Sequence, residues 1–167
     1  YDYFQEEVSR KNVRRRTLRE GDQIKYKDLV LQILSPPVDG QPVKARNMHN
    51  NTIVIMLSQK NFRGLFTGDI NFPTEDRLLA GRHNLSANLL KVSHHGSDKS
   101  SGNQFLAAVN PQVSVIEAGL NNRYGHPKKT LLERLRAVGA QIYRTDVHGT
   151  IKISLINNQL KISTQKQ

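Results

Sequence analysis

L-F-T-G-D at Leu65–Asp69 and L-L-K-V-S-H-H-G-S at Leu89–Ser97 decide the fold. Each is an apolar run that ends abruptly in small or ionisable residues, the pattern by which strands deliver chemistry to one rim of a sheet. Gly68 leaves room for a close approach to the backbone just before Asp69. A carboxylate and one or two imidazoles at neighbouring strand ends make half of a site for zinc or a harder divalent ion. Taken singly, Gly68-Asp69 is also a common turn, and a histidine pair is also found in capped loops. Their occurrence at two matching strand ends is what points to a metal.

Outward from this stretch, the chain reads as hairpins followed by strand–helix alternation. Ile24–Lys27 and Leu29–Leu34 form a strand pair closed by Ser35-Pro36-Pro37, and a loop over Val38–Asn51 follows. Ile53–Leu57 and Phe62–Thr67 make a hairpin that aims Asp69 at the sheet rim. Pro73, Thr74 and Glu75 open a short helix running to about Arg82, with Leu78 and Leu79 as its apolar residues. Leu89–Val92 is the next strand, then a helix over Asn103–Val109 with Phe105, Leu106 and Val109 inward. Val113–Ile116 is a strand, Gly119–Pro127 a loop, and Lys128–Val138 a helix with Pro127 as its first helical residue. Gly139 stops that helix. Ile142–Arg144 is a strand, Thr145–Gly149 a polar loop, Thr150–Ile156 an alternating strand and Leu160–Ser163 an edge strand. The pattern predicts an α/β protein, a mixed sheet with helices packed outside. The core is expected over residues 21–163, with 1–20 as a linker or the remnant of a preceding half.

Composition narrows the function. The 167 residues suit one domain or most of one, and no apolar run has transmembrane length. Twenty-five basic against fourteen acidic residues give +11, which favours a polyanionic partner, nucleic acid before an anionic membrane. Arg14, Arg15 and Arg16 lie in the densest basic cluster, expected to contact phosphates. Little aromatic interleaving occurs there, so base stacking is not implied in that cluster. Cysteine is absent, so any metal must be held by histidine and carboxylate.

Four polar segments follow apolar strands: Asp69, His94/His95, Asn121–His126 and Asp146–His148. In layered α/β arrangements such segments gather on one edge. His126 stands just before Pro127, near a helix N-terminus, where it is expected to bind a phosphate or cap. His148, His49 and His83 are weaker candidates, read by default as satisfied surface histidines.

With these residues in hand, N-N-T-I-V-I-M-L, L-F-T-G-D, L-L-K-V-S-H-H-G-S, N-N-R-Y-G-H-P and Y-R-T-D-V-H-G-T-I-K-I, in this order over Arg14–Ile153, resemble the C-terminal metallo-β-lactamase-like domain of the ComEC/Rec2 DNA-uptake channel. The resemblance implies an αβ/βα sandwich with a two-metal site. Asp69 would match the metal-bridging aspartate and His95 a late histidine ligand, with His94 beside it as a substrate or transition-state contact; either member of the pair remains open as the ligand. Lys91, Ser97, Asn122, Arg123, Tyr124 and His126 would contact substrate or phosphate. The H-x-H-x-D-H motif of the superfamily does not occur, so the chain is expected to be the C-terminal portion of the domain.

The implied activity is metal-dependent phosphodiester hydrolysis, a nuclease acting on DNA during competence, with zinc or manganese as cofactor and no nucleotide cofactor. The implied setting is a soluble domain of a membrane channel protein on its extracellular side. A non-catalytic DNA-binding module and a small-substrate metallo-hydrolase are the alternatives.

Overall fold

The computed structural model describes residues 2–38, 52–81, 83–157 and 159–166. Helix α1 (Asp2–Arg10) comes first. Four strands follow as a meander: β1 (Gln23–Tyr26), β2 (Leu29–Ser35), β3 (Val54–Gln59) and β4 (Phe62–Phe66). Each pairs antiparallel with the next. The connection then changes in kind. Helix α2 (Phe72–Ala80) leads to β5 (Leu89–Lys91), α3 (Asn103–Val109) to β6 (Val113–Ile116), and α4 (Lys129–Ala137) to β7 (Gln141–Arg144). β4 to β7 run parallel, and the seven strands lie in sequence order in one sheet. A four-residue helix α5 (Thr145–His148) precedes a separate antiparallel hairpin of β8 (Ile151–Ile156) and β9 (Gln159–Thr164).

The two faces of the sheet are covered differently, because right-handed crossovers between successive neighbouring strands put their helices on one side. Leu78 of α2, Phe105, Leu106 and Val109 of α3, and Leu131 and Leu135 of α4 pack with Val54, Met56, Leu65, Leu90 and Ile116 of the strands in one core. Each fully buried leucine contributes roughly 2 kcal/mol. On the opposite face, Leu89, Val113 and Val115 meet Ile151, Ile153, Leu160 and Ile162 of the hairpin. The alternation read over Thr150–Ile156 is therefore that of a covering hairpin rather than of a strand in the main sheet.

Several sequence readings are corrected. Pro127 is not the first helical residue: Lys128 caps α4, which begins at Lys129. Thr145–Gly149 is not a plain loop but is turned into α5. Tyr3, Phe4 and Val8 lie on α1, which buries no residue. His49 and most of the Val38–Asn51 loop lie outside the described residues. No described helix is long and apolar enough to cross a membrane.

Candidate functional site

β4 and β5 end level, with Phe66 beside Lys91. Past the end of β4, Thr67 is buried and its hydroxyl donates to the Lys91 carbonyl at 2.7 Å. Gly68 then takes φ 54°, and a Cβ there would lie 2.4 Å from Thr52 Cγ2, so only glycine lets the turn close. Ile70, fully buried, pulls the chain back into the core. Asp69, between the two, is left on the rim with its side chain 45% exposed.

Past β5 the backbone turns sharply over Ser93–Gly96. His94 (φ 48°, ψ 45°), His95 (φ 53°, ψ 21°) and Gly96 (φ 88°) are all left-handed. That conformation costs a non-glycine residue about 1–2 kcal/mol and collects at functional sites. Three backbone hydrogen bonds hold it: His94 N to the Gly68 carbonyl at 3.0 Å, Ser97 N to the His94 carbonyl at 3.0 Å, and Lys128 N to the Gly96 carbonyl at 2.9 Å.

The result is a defined orientation for His95. Its Nδ1 lies 2.9 Å from the Glu117 carbonyl oxygen. A carbonyl only accepts, so Nδ1 donates, and the neutral ring keeps its lone pair on Nε2. Nε2 stands 3.6 Å from Asp69 Oδ1. Two ligands of one tetrahedral ion, each about 2.0–2.1 Å from it, lie about 3.4 Å apart. An imidazole anchored by a carbonyl on its far nitrogen is also how metal-binding histidines are oriented. Asp69 and His95 thus fit two positions of a divalent-ion shell. Among the described residues no group of three or more His, Cys, Asp or Glu is placed to hold a metal ion. A catalytic zinc takes three protein ligands and a water, so the shell offered here is partial.

The other expected site residues divide into two sets. Near His95, the His94 and His126 rings meet edge to face with centroids 6.2 Å apart. Tyr124 stacks on His126 at 5.8 Å, and the Arg123 guanidinium lies 4.7 Å from the Tyr124 ring centroid. Asn122 staples this loop: its Nδ2 donates to the His126 carbonyl at 2.7 Å and its Oδ1 accepts from His126 N at 2.9 Å. Burial, and then the nearby Lys128 charge, hold the His126 pKa below the usual imidazole value. His126 does not cap α4, whose N-cap makes no side-chain hydrogen bond. Lys91 Nζ donates to the Val92 carbonyl at 3.1 Å and pairs with Glu117 at 3.6 Å. A cavity of about 380 Å³ opens beside His95, walled by Ala118, Gly119, Asn122, Tyr124, His126 and Thr145.

In the second set, Ser97 is buried and its Oγ accepts the Lys99 amide hydrogen at 3.2 Å. Arg14 and Arg15 are exposed between α1 and β1, and Arg16 pairs with Asp22 at 2.8 Å. Asp146 turns away to pair with Arg144, and His148 Nδ1 accepts the Arg144 amide hydrogen at 2.9 Å. His83 pairs with Glu20 at 2.7 Å.

Sequence reasoning missed two supports. One is the Glu117 carbonyl, which has no sequence signal because every residue carries a carbonyl. The other is Glu75, whose buried carboxylate accepts the Ser101 and Gly102 amide hydrogens and whose pKa burial raises. Arg134 meets the Ser100 and Ser101 carbonyls of the same loop at 2.9 and 3.0 Å. Glu75 stands three residues before Leu78, on the inward face of α2; an acid on a buried helical face was the available signal.

No family model matches the chain. Over 135 residues, 81% of the chain, it is 33% identical to ComE operon protein 3 of Bacillus subtilis. Over 119 residues, 69% of the chain, it is 34% identical to the competence protein ComA of Neisseria gonorrhoeae. The matched part is 17% of either protein, so the chain spans about a sixth of their length. Its fold is similar to the crystal structure of a proposed metal-dependent hydrolase from Parabacteroides distasonis, with a TM-score of 0.51 over 84% of this chain and 62% of that one. At 13% identity that likeness concerns the fold alone, and it agrees with a metallo-β-lactamase-like arrangement of the mixed sheet. By a likeness that extends over most of its residues, the chain belongs to the ComEC/Rec2 family of competence proteins.

Proposed function

We propose that this chain forms one side of a metal-dependent phosphodiester hydrolysis site acting on DNA during uptake. The observation that carries the reading is the Asp69–His95 pair on two adjacent parallel strand ends, with His95 oriented by the Glu117 carbonyl. Asp69 and His95 would hold part of the shell for zinc or manganese. A divalent ion bound there lowers the pKa of a water and offsets charge on a phosphate.

The chain's own residues supply the surroundings. His126, whose pKa burial lowers, meets His94 edge to face and is placed to accept a hydrogen bond along the wall they share. Arg123 is exposed and offers a planar cation to phosphate oxygens. Arg14 and Arg15, with the net charge of +11, hold a nucleic-acid backbone without reading sequence. The name of the competence relative supports a setting in competence; on this reading the chain is a domain of a membrane channel, on its extracellular side, that meets incoming DNA.

Calorimetric titration with Mn²⁺ or Zn²⁺ and a cleavage assay on single-stranded DNA test this. Weak metal binding by the chain is expected, because only two ligands are in place. Asp69→Asn and His95→Gln should each remove it. Metal binding that survives both substitutions would end the proposal. The partial shell favours a second reading, a module that holds DNA electrostatically without chemistry. Tight metal-independent DNA binding with no cleavage by the full-length protein would select it.

A further inference from the structure

The cavity beside His95 has a chemistry of its own. One wall is aromatic: Tyr124, 58% exposed, stacks on His126 with their planes 17° apart. The short segment Ala118–Gly119 also lines it. Two of the polar side chains on the lining, Thr145 and Asn122, are already committed inside the protein. Thr145 Oγ1 accepts the Ala118 amide hydrogen and donates to the Ala118 carbonyl, both at 2.9 Å. Asn122 is committed to the Gly119 and His126 carbonyls. Glu117 is paired with Lys91. What remains for a ligand is a slot with the Tyr124 ring on one side and the imidazoles of His95 and His126 as its remaining polar side chains besides Glu117. The exposed Glu117 carboxylate on the lining disfavours a phosphate there. A flat ring fits, and about 380 Å³ lies within the size range of small-molecule sites.

We infer that this slot is a stacking subsite for one base of a single-stranded nucleic acid, which sets the neighbouring phosphate toward Asp69 and His95. Because Thr145 and Asn122 are satisfied internally, the subsite takes its hold chiefly from aromatic surface. Stacking platforms of this kind are tolerant of sequence. The inference rests on the phosphodiester reading for its substrate class, and it adds Tyr124 as the residue that positions the strand.

The test uses the full chain and two single-stranded oligonucleotides of equal length and charge, one carrying 2-aminopurine at its centre and the other an abasic residue there. Binding is followed without metal, by 2-aminopurine quenching and by fluorescence anisotropy. Tyr124→Ala should weaken the base-bearing strand about tenfold, abolish the quenching and leave the abasic strand unchanged. Tyr124→Phe should restore both signals. Equal weakening of the two strands, or quenching that survives Tyr124→Ala, would overturn the inference; so would failure of the native chain to quench. These readouts are separate from cleavage. Absent cleavage by the full-length protein, with quenching lost only in Tyr124→Ala, would remove the nuclease reading and keep the subsite. Cleavage that proceeds equally well opposite an abasic residue would do the reverse.

Discussion

Two rims of the same parallel sheet carry the same kind of residues and use them in opposite ways. After β5 come His94, His95 and Gly96; after β7 come Asp146, His148 and Gly149. At the second rim the ionisable groups are turned inward on their own segment. Asp146 pairs with Arg144, and His148 takes the Arg144 amide hydrogen. One helical turn, α5, closes the set. At the first rim the backbone is left-handed for three residues, which prevents a helical turn from satisfying the side chains locally. His95 is anchored instead by the distant Glu117 carbonyl and presents Nε2 to Asp69 on another strand. A histidine beside an acid is therefore a site only where the backbone sends it across to a neighbouring strand.

The largest expected effect separates the two glycines. A Cβ on Gly96 would lie 2.5 Å from Pro127 Cβ and 2.9 Å from Pro127 Cα, which belong to the loop that leads into α4. A Cβ on Gly149 would meet first the end of the flexible Gln165 side chain, at 2.7 Å. Gly96→Ala should lower stability in urea unfolding by about 3 kcal/mol or more, and Gly149→Ala by markedly less. Equal losses would mean that the first rim is no more tightly built than the second.

Metal affinity sharpens the contrast next. His95→Gln should remove Mn²⁺ or Zn²⁺ binding by calorimetry, whereas His148→Gln should leave it unchanged. A loss of similar size from both would place the metal elsewhere.

A smaller effect joins the rims. Thr145 Oγ1 makes both of its hydrogen bonds to the Ala118 backbone, tying the end of β7 to the end of β6 next to the Glu117 carbonyl that orients His95. Thr145→Val removes both bonds and should cost about 2 kcal/mol in thermal or urea unfolding. A loss under about 0.5 kcal/mol would show that the two strand ends hold their places without it.

Much of this could be read in the chain before the coordinates. Strands and helices were legible because their inward residues recur at fixed spacing, as Leu131 and Leu135 do on α4. The rim itself was legible because apolar runs stop at Asp69 and at His94. Three things were hidden for physical reasons. Which histidine meets Asp69 depends on left-handed backbone angles, which histidine does not advertise as glycine does. Whether Asp146 and His148 face the site depends on α5, whose four residues are too few for a periodic signal. The anchor of His95 is a backbone carbonyl, invisible in side-chain chemistry. The hairpin of β8 and β9 was legible as strands, but its place over the opposite face was not, since alternation fixes which residues turn inward and says nothing of what they meet.

The smallest effect tests whether the second rim is purely structural. Hydrogen bonding and charge from Arg144 hold the Asp146 pKa below its ordinary value. A carboxylate with a folded pKa lower than its unfolded one adds stability above the unfolded value, and that stability is lost as pH falls through the folded value. Because Arg144 is partly exposed, its side chain 28% accessible, solvent screens the pair and the contribution at neutral pH should be only about 1 kcal/mol. Asp146→Asn should therefore destabilise the chain slightly at pH 7. The gap between variant and native should close as pH is lowered past the usual aspartate range, because native Asp146 is then protonated as well. Metal binding at neutral pH should be the same in both. A gap that persists in acid would assign Asp146 a role its charge does not explain. A loss of metal affinity would bring the second rim into the site.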